Sequence, residues 1–218
     1  MKTVVSNEKG IVTENEGQGF YVEDEQYSTP WGNRWNDLYA QINEATGNEA
    51  LTYEQYRDSN LFLKFFRHNQ DDKISMTYQM SHEWDGTPVQ PHMHWVPMSS
   101  GSGDVIFEYS YSWWTVSGSL GAVNTWTKAY ITASITPANQ YQHLVTNFGG
   151  EISPPANAHE SSLLVFTVSR LGGSAQQDTY TTSKDHGTNS ANVGIIFFDL
   201  HYKRSKSGTK TPIPYISG

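Results

Sequence analysis

The chain contains no cysteine, which removes disulfide frameworks, thiolate zinc sites, iron–sulfur clusters and cysteine nucleophiles together. Charge is sparse as well: 17% of the 218 residues are Asp, Glu, Lys or Arg, against a usual ~25%. What charge there is leans acidic, with 22 carboxylates against 14 basic side chains and a net charge of −8. Such a surface is not made to grip nucleic acid or an anionic membrane. No apolar run approaches ~18 residues, so no segment reads as a membrane-spanning helix. The opening stretch MKTVVSNEKGIVTENEG has no apolar run of signal-peptide type, and export by that route is not expected.

Aromatic residues, by contrast, are plentiful. They make up 13% of the chain, with 13 tyrosines and 7 tryptophans. Together with abundant Ser and Thr they suit pleated, half-buried surfaces better than helices. Low charge further suggests that neighbouring subunits cover part of the surface, because charged residues are depleted at interface cores.

Three parts are expected: an N-terminal arm over 1–30, a body over 31–204 and a tail over 205–218. The arm carries only short apolar pieces (Val4-Val5, Ile11-Val12, Phe20-Tyr21-Val22) between acidic and Gly-rich spacers, none long enough for a core strand. Trp31 and Trp35 could anchor it onto a body, its own or a neighbour's, and are the expected subunit contacts. Residues 44–57 hold the one helix-like pattern, with Leu51, Tyr53 and Tyr56 as a weak apolar face. Beyond it, alternation takes over. Ile74, Met76, Tyr78, Met80, His82 and Trp84 fall on one face, and Val105, Phe107, Tyr109, Tyr111 and Trp113 repeat the pattern after a Gly/Ser turn. Further strands are expected over 61–67, 89–98, 124–135, 140–148, 161–171 and 193–204, separated by Gly, Pro and Asn clusters. About eight strands with hardly any helix predict an all-β, jelly-roll-like antiparallel sandwich.

The sharpest local signal is Gly86-Thr87-Pro88-Val89-Gln90-Pro91-His92-Met93-His94-Trp95. Histidines two apart on a strand point the same way. A Gly, five intervening residues and then His-x-His also open the cupin metal motif. That motif needs a Glu four or five residues past the second His, where this chain has Met98 and Ser99. Asp199 and His201 share a face of the last strand and could meet His92 and His94 from a neighbouring strand. The preferred reading is a structural polar network of His92, His94, Asp199 and His201, at the core edge or a subunit interface, with no metal and no cofactor. Other chemistry is poorly supported. No serine sits in a nucleophile elbow, no helix or lysine follows the Gly/Ser turn, and Glu83 and Asp85 beside Trp84 read as a solvated strand end. The rings of Tyr109, Tyr111, Trp113 and Trp114 read as core, not as a sugar platform.

Several stretches, in order along residues 31–204, resemble a family of bacteriophage virion structural proteins. Met80-Ser81-His82-Glu83-Trp84-Asp85-Gly86 leads into Pro91-His92-Met93-His94-Trp95-Val96-Pro97, then Val105-Ile106-Phe107-Glu108-Tyr109. Phe198-Asp199-Leu200-His201-Tyr202 lies near the end and Trp35-Asn36-Asp37-Leu38 near the start. Where members often have Pro-His-Ser-Trp, this chain has Ser81-His82-Glu83-Trp84. The resemblance implies a non-enzymatic virion protein assembled in the host bacterial cytoplasm, a homotrimer decorating or cementing the capsid, with major capsid, portal-proximal or tail proteins as partners. The alternative is a tail-fibre, tailspike or head-fibre module that recognises a host-surface glycan. A cupin-like metalloenzyme is a more distant third. Neither nucleic acid nor membrane is expected as a partner.

Overall fold

A computed structural model describes residues 3–7, 10–15, 19–23, 34–57, 59–116, 126–173, 178–180 and 191–204, with only the backbone described up to residue 34. Trp31 and the 205–218 tail lie outside the described residues. The first three strands, β1 (Thr3–Asn7), β2 (Gly10–Asn15) and β3 (Gly19–Glu23), form an antiparallel meander in which Val12 pairs with Val5 on one side and Val22 on the other. The arm is thus not strandless: its short apolar pieces pair with one another across the polar spacers. None of these strands pairs with the body among the described residues.

The body is a two-sheet antiparallel sandwich. Its strands are β4 (Arg34–Tyr39), β5 (Asn43–Glu44), β6 (Thr52–Gln55), β7 (Phe62–Phe66), β8 (Lys73–Gln79), β9 (Gln90–Pro97), β10 (Gly103–Trp114), β11 (Thr127–Ile135), β12 (Leu144–Asn147), β13 (Leu163–Arg170) and β14 (Val193–Arg204). One sheet runs β11-β10-β13-β8-β5, the other β12-β9-β14-β7-β6, with β4 also paired to β14. Consecutive strands from β8 to β10, and from β11 to β14, pass from one sheet to the other.

The expected helix over 44–57 is replaced by a single 3₁₀ turn at Gly47–Glu49 and strand β6. Thr52 and Tyr53 favour a pleated surface, and β6 pairs along β7 with Tyr53 opposite Lys64. Helix-period residues here were too few to outweigh that ladder. The alternation expected to run to Trp84 ends with β8. Residues 81–84 form a turn in which Trp84 donates its N–H to the Ser81 carbonyl, and that turn delivers the indole to the core.

Between the sheets lies a continuous aromatic core. Ile74, Met76 and Tyr78 of β8, Val105, Phe107 and Tyr109 of β10, and Leu164, Phe166 and Val168 of β13 face Phe66, Met93, Trp95, Phe198, Leu200 and Tyr202 across the gap. Phe107 sits at the centre, with ring centroids 5.9 Å from Phe66, 5.7 Å from Trp95 and 6.1 Å from Phe148. Trp95 Nε1 donates to Thr146 Oγ1 at 2.9 Å, so the one polar atom of that buried indole is satisfied.

The feature that positions the site is a bulge in β14. Val193 and Ile195 point into the core; the pairing with β9 then slips between Ile195 and Phe197, leaving Ile196 exposed. One extra residue inverts the alternation. Phe198, Leu200 and Tyr202 now face inward, and Phe197, Asp199 and His201 are turned to the outer face of the sheet.

Candidate functional site

That outer face is where the predicted residues meet. On β9, Met93 and Trp95 are core residues, so His92 and His94, which alternate with them, face outward. On the register of β9 with β14, His92 lies opposite Asp199 and His94 opposite Phe197. On β14 with β4, His201 lies opposite Asp37 and Asp199 opposite Tyr39. Three neighbouring strands therefore bring His92, His94, Asp199 and His201 together with Asp37, Tyr39, Trp35 and Phe197.

Asp199 is the hub. Its Oδ2 lies 3.3 Å from His201 Nε2 and its Oδ1 3.4 Å from His94 Nε2. The second contact does not have hydrogen-bond geometry, and Oδ1 is buried without a hydrogen bond. His201 Nε2 also lies 3.0 Å from Asp37 Oδ1. The His92 and His201 rings are 4.0 Å apart by centroid, and His92 Nδ1 is 2.9 Å from the Gln90 carbonyl. A carbonyl only accepts, so Nδ1 carries the proton of a neutral His92 and Nε2 keeps its lone pair. His94 Nδ1 is 2.7 Å from His143 Nε2, and its ring stacks on Phe197 at 4.0 Å.

Burial lowers the pKa of His92 below the ordinary histidine value, and the neighbouring His201 adds to the effect against the opposing Gln90 carbonyl and Asp199. Burial also lowers that of His94, with Asp199 opposing. Both rings are therefore held toward the neutral form, which can donate at one nitrogen and accept at the other. Asp37 pushes the Tyr39 phenol above its usual value.

Around this polar centre the face is aromatic. Trp35 is 41% exposed and Tyr39 64%. Lys203 Nζ lies 4.8 Å over the Trp35 ring, and Tyr39 meets Phe197 edge-on at 5.9 Å. Trp35, expected as a subunit contact, thus borders the histidine cluster, 6.4 Å from His201 by ring centroids.

Asp37 was read from the sequence only as part of the Trp35–Leu38 motif, and Tyr39, His143 and Phe197 were not singled out at all. The available signal was the alternation Trp35, Asp37, Tyr39, but six residues flanked by polar neighbours are too short to declare a strand. His143, expected within a strand over 140–148, lies instead in the loop just before β12. The other sequence candidates have ordinary partners. Glu83 Oε2 lies 3.4 Å from Arg204 Nε, and Asp85 accepts from the Thr87 backbone at 2.9 Å. Tyr109 is buried, and Trp113 stacks on Trp84 at 5.6 Å.

No protein-family model matches the sequence, and no curated protein matches it. Among solved structures the chain is similar to the CBM27-1 module of Caldicellulosiruptor saccharolyticus in complex with mannohexaose: 13% identity over 79% of this chain and 97% of that one, TM-score 0.36. The CBM22-1 xylan-binding domain of Paenibacillus barcinonensis Xyn10C gives 12% identity over 79% and 87%, TM-score 0.34. The enzymatically active domain of bacteriophage CBA120 tailspike protein 4 gives 10% identity over 80% of this chain and 20% of that one, TM-score 0.32.

Proposed function

We propose that this β-sandwich is a non-enzymatic glycan-recognition module of a virion, which binds a host-surface saccharide on the outer face formed by β4, β14, β9 and β12. The observation that carries this reading is the pairing of exposed aromatic rings with fixed polar groups on one rigid sheet. Trp35 and Tyr39 flank Asp37 on β4, beside the imidazoles of β9 and β14. The apolar face of a pyranose lies flat on such rings, while its hydroxyls pair with carboxylate and imidazole at the edge. Rigid strands hold those groups in place without an ordering cost on binding. The virion setting, and with it capsid decoration as a second role, is supported by the motif resemblance alone. Glycan recognition has in addition a surface with the right chemistry.

The test is binding of the purified full-length protein to an array of bacterial surface polysaccharides. Wild type should retain one polysaccharide class. Trp35→Ala and Tyr39→Ala, both at exposed positions, should each weaken that binding about tenfold, equivalent to about 1.4 kcal/mol, with thermal stability unchanged. An array on which wild type binds nothing, or on which both variants bind as wild type does, overturns the reading.

A further inference from the structure

We propose that His92, Asp199 and His201 bind one divalent transition-metal ion, zinc in the first place, with Asp37 within reach of the same ion. One ligand atom from each of the three lies within 4.8 Å of the others. Ligands held about 2.0–2.2 Å from zinc in a tetrahedral site stand roughly 3.5 Å apart. The separations in the cluster already have that scale: 3.3 Å between His201 Nε2 and Asp199 Oδ2, and 3.0 Å between His201 Nε2 and Asp37 Oδ1.

A second observation points to a cation independently of those spacings. Asp199 is 3% exposed and its Oδ1 is buried without a hydrogen bond, although three imidazoles surround the carboxylate. A buried carboxylate lacking donors is costly unless a positive charge compensates it. His92 does not fill that role. His92 directs its Nδ1–H to the Gln90 carbonyl and leaves the Nε2 lone pair for a ligand bond. A backbone carbonyl orienting the far nitrogen of a metal-binding histidine is the usual supporting contact. Two imidazoles and one or two carboxylates favour zinc or a related first-row ion over calcium or magnesium, which take oxygen ligands.

The cupin glutamate absent at Met98 and Ser99 does not bear on this site. Its carboxylates come from β14 and β4, strands that the sequence spacing does not connect. The ion would join three strands at once, and β4, paired only to β14 among the described residues, would be fastened through Asp37. The site stands whether or not the face above it holds a saccharide.

The experiment is titration of zinc chloride into the full-length protein after dialysis against a chelator, followed by calorimetry and thermal melts. One zinc per chain is expected, with a rise in melting temperature that a chelator reverses. His92→Ala and His201→Ala should each weaken binding at least about tenfold, whereas His159→Ala, at an exposed loop position, should bind as wild type. If an alanine variant fails to fold, Asp199→Asn keeps the shape, removes the charge and should show the same loss. Cobalt substituted for zinc should give the visible absorption of an ion with nitrogen and oxygen ligands. A protein that takes up no stoichiometric zinc or cobalt, or variants that bind as tightly as wild type, would overturn the proposal.

Discussion

Asp199 of β14 stands directly opposite His92 of β9 in the strand ladder, and its carboxylate also lies 3.3 Å from His201, two residues along its own strand. One residue thereby ties the two histidine motifs together. In chelator-treated protein, His94→Ala should lose about 1–3 kcal/mol, since it takes the imidazole 3.4 Å from the buried Asp199 Oδ1 away, and Asp199→Ala should lose less, since it also removes an oxygen that has no hydrogen bond. That corresponds to about 2–4 °C of melting temperature per kcal/mol for a chain of this size. The double variant should lose less than the sum, because the groups interact. Strict additivity would show that His94 and Asp199 do not.

A buried ion pair secures the C-terminal end of β13. Arg170 has no exposed surface, and its guanidinium meets Asp178 through two bonds, Nε to Oδ2 at 2.8 Å and Nη2 to Oδ1 at 3.1 Å, while Nη1 donates to the Ala191 carbonyl at 2.7 Å. Asp178→Ala strands that guanidinium, and about 3–5 kcal/mol of stability should go with it. Urea unfolding measures it. A loss under 1 kcal/mol would mean that water or the carbonyls of Ala191 and Phe66 suffice as partners.

The bulge at Ile196 yields a sharper contrast. Ile196 is exposed, so Ile196→Ser should change stability by no more than about 0.5 kcal/mol. Deleting the same residue would restore simple alternation with each side chain on its native face, because Ile195 opposite Trp95 would then be followed directly by Phe197 opposite His94. The deletion variant should stay soluble and folded by circular dichroism, with Phe198, Leu200 and Tyr202 still inside. An insoluble or molten deletion variant would refute the assignment of Ile196 as the extra residue.

Truncation tests the independence of the arm. The strands of residues 3–23 pair only with one another among the described residues. Removing residues 1–28 should leave the melting temperature of the sandwich within a few degrees of wild type. A collapse in stability would mean that the arm packs as part of the body.

The all-β class, the core faces of β8 and β10, and the bounds of β14 were legible from residue order, because an alternation repeated over five or more positions has only one physical reading. The face shared by His92 and His94 was legible for the same reason. Where alternation was short, local pattern was not enough. Thr52–Gln55 became a strand because Phe62–Phe66 supplied a partner, and Arg34–Tyr39 became one because the end of β14 did. Only the folded chain determined which way Asp199 and His201 point. Continuous alternation from Val193 would bury both, and the slip after Ile195 turns them outward. Burial of Phe198, Leu200 and Tyr202 favours that slip, an energetic comparison over the whole core that no local spacing contains. Asp37 and His143 reach the cluster in the same way: they are distant in sequence, and strand pairing makes them neighbours.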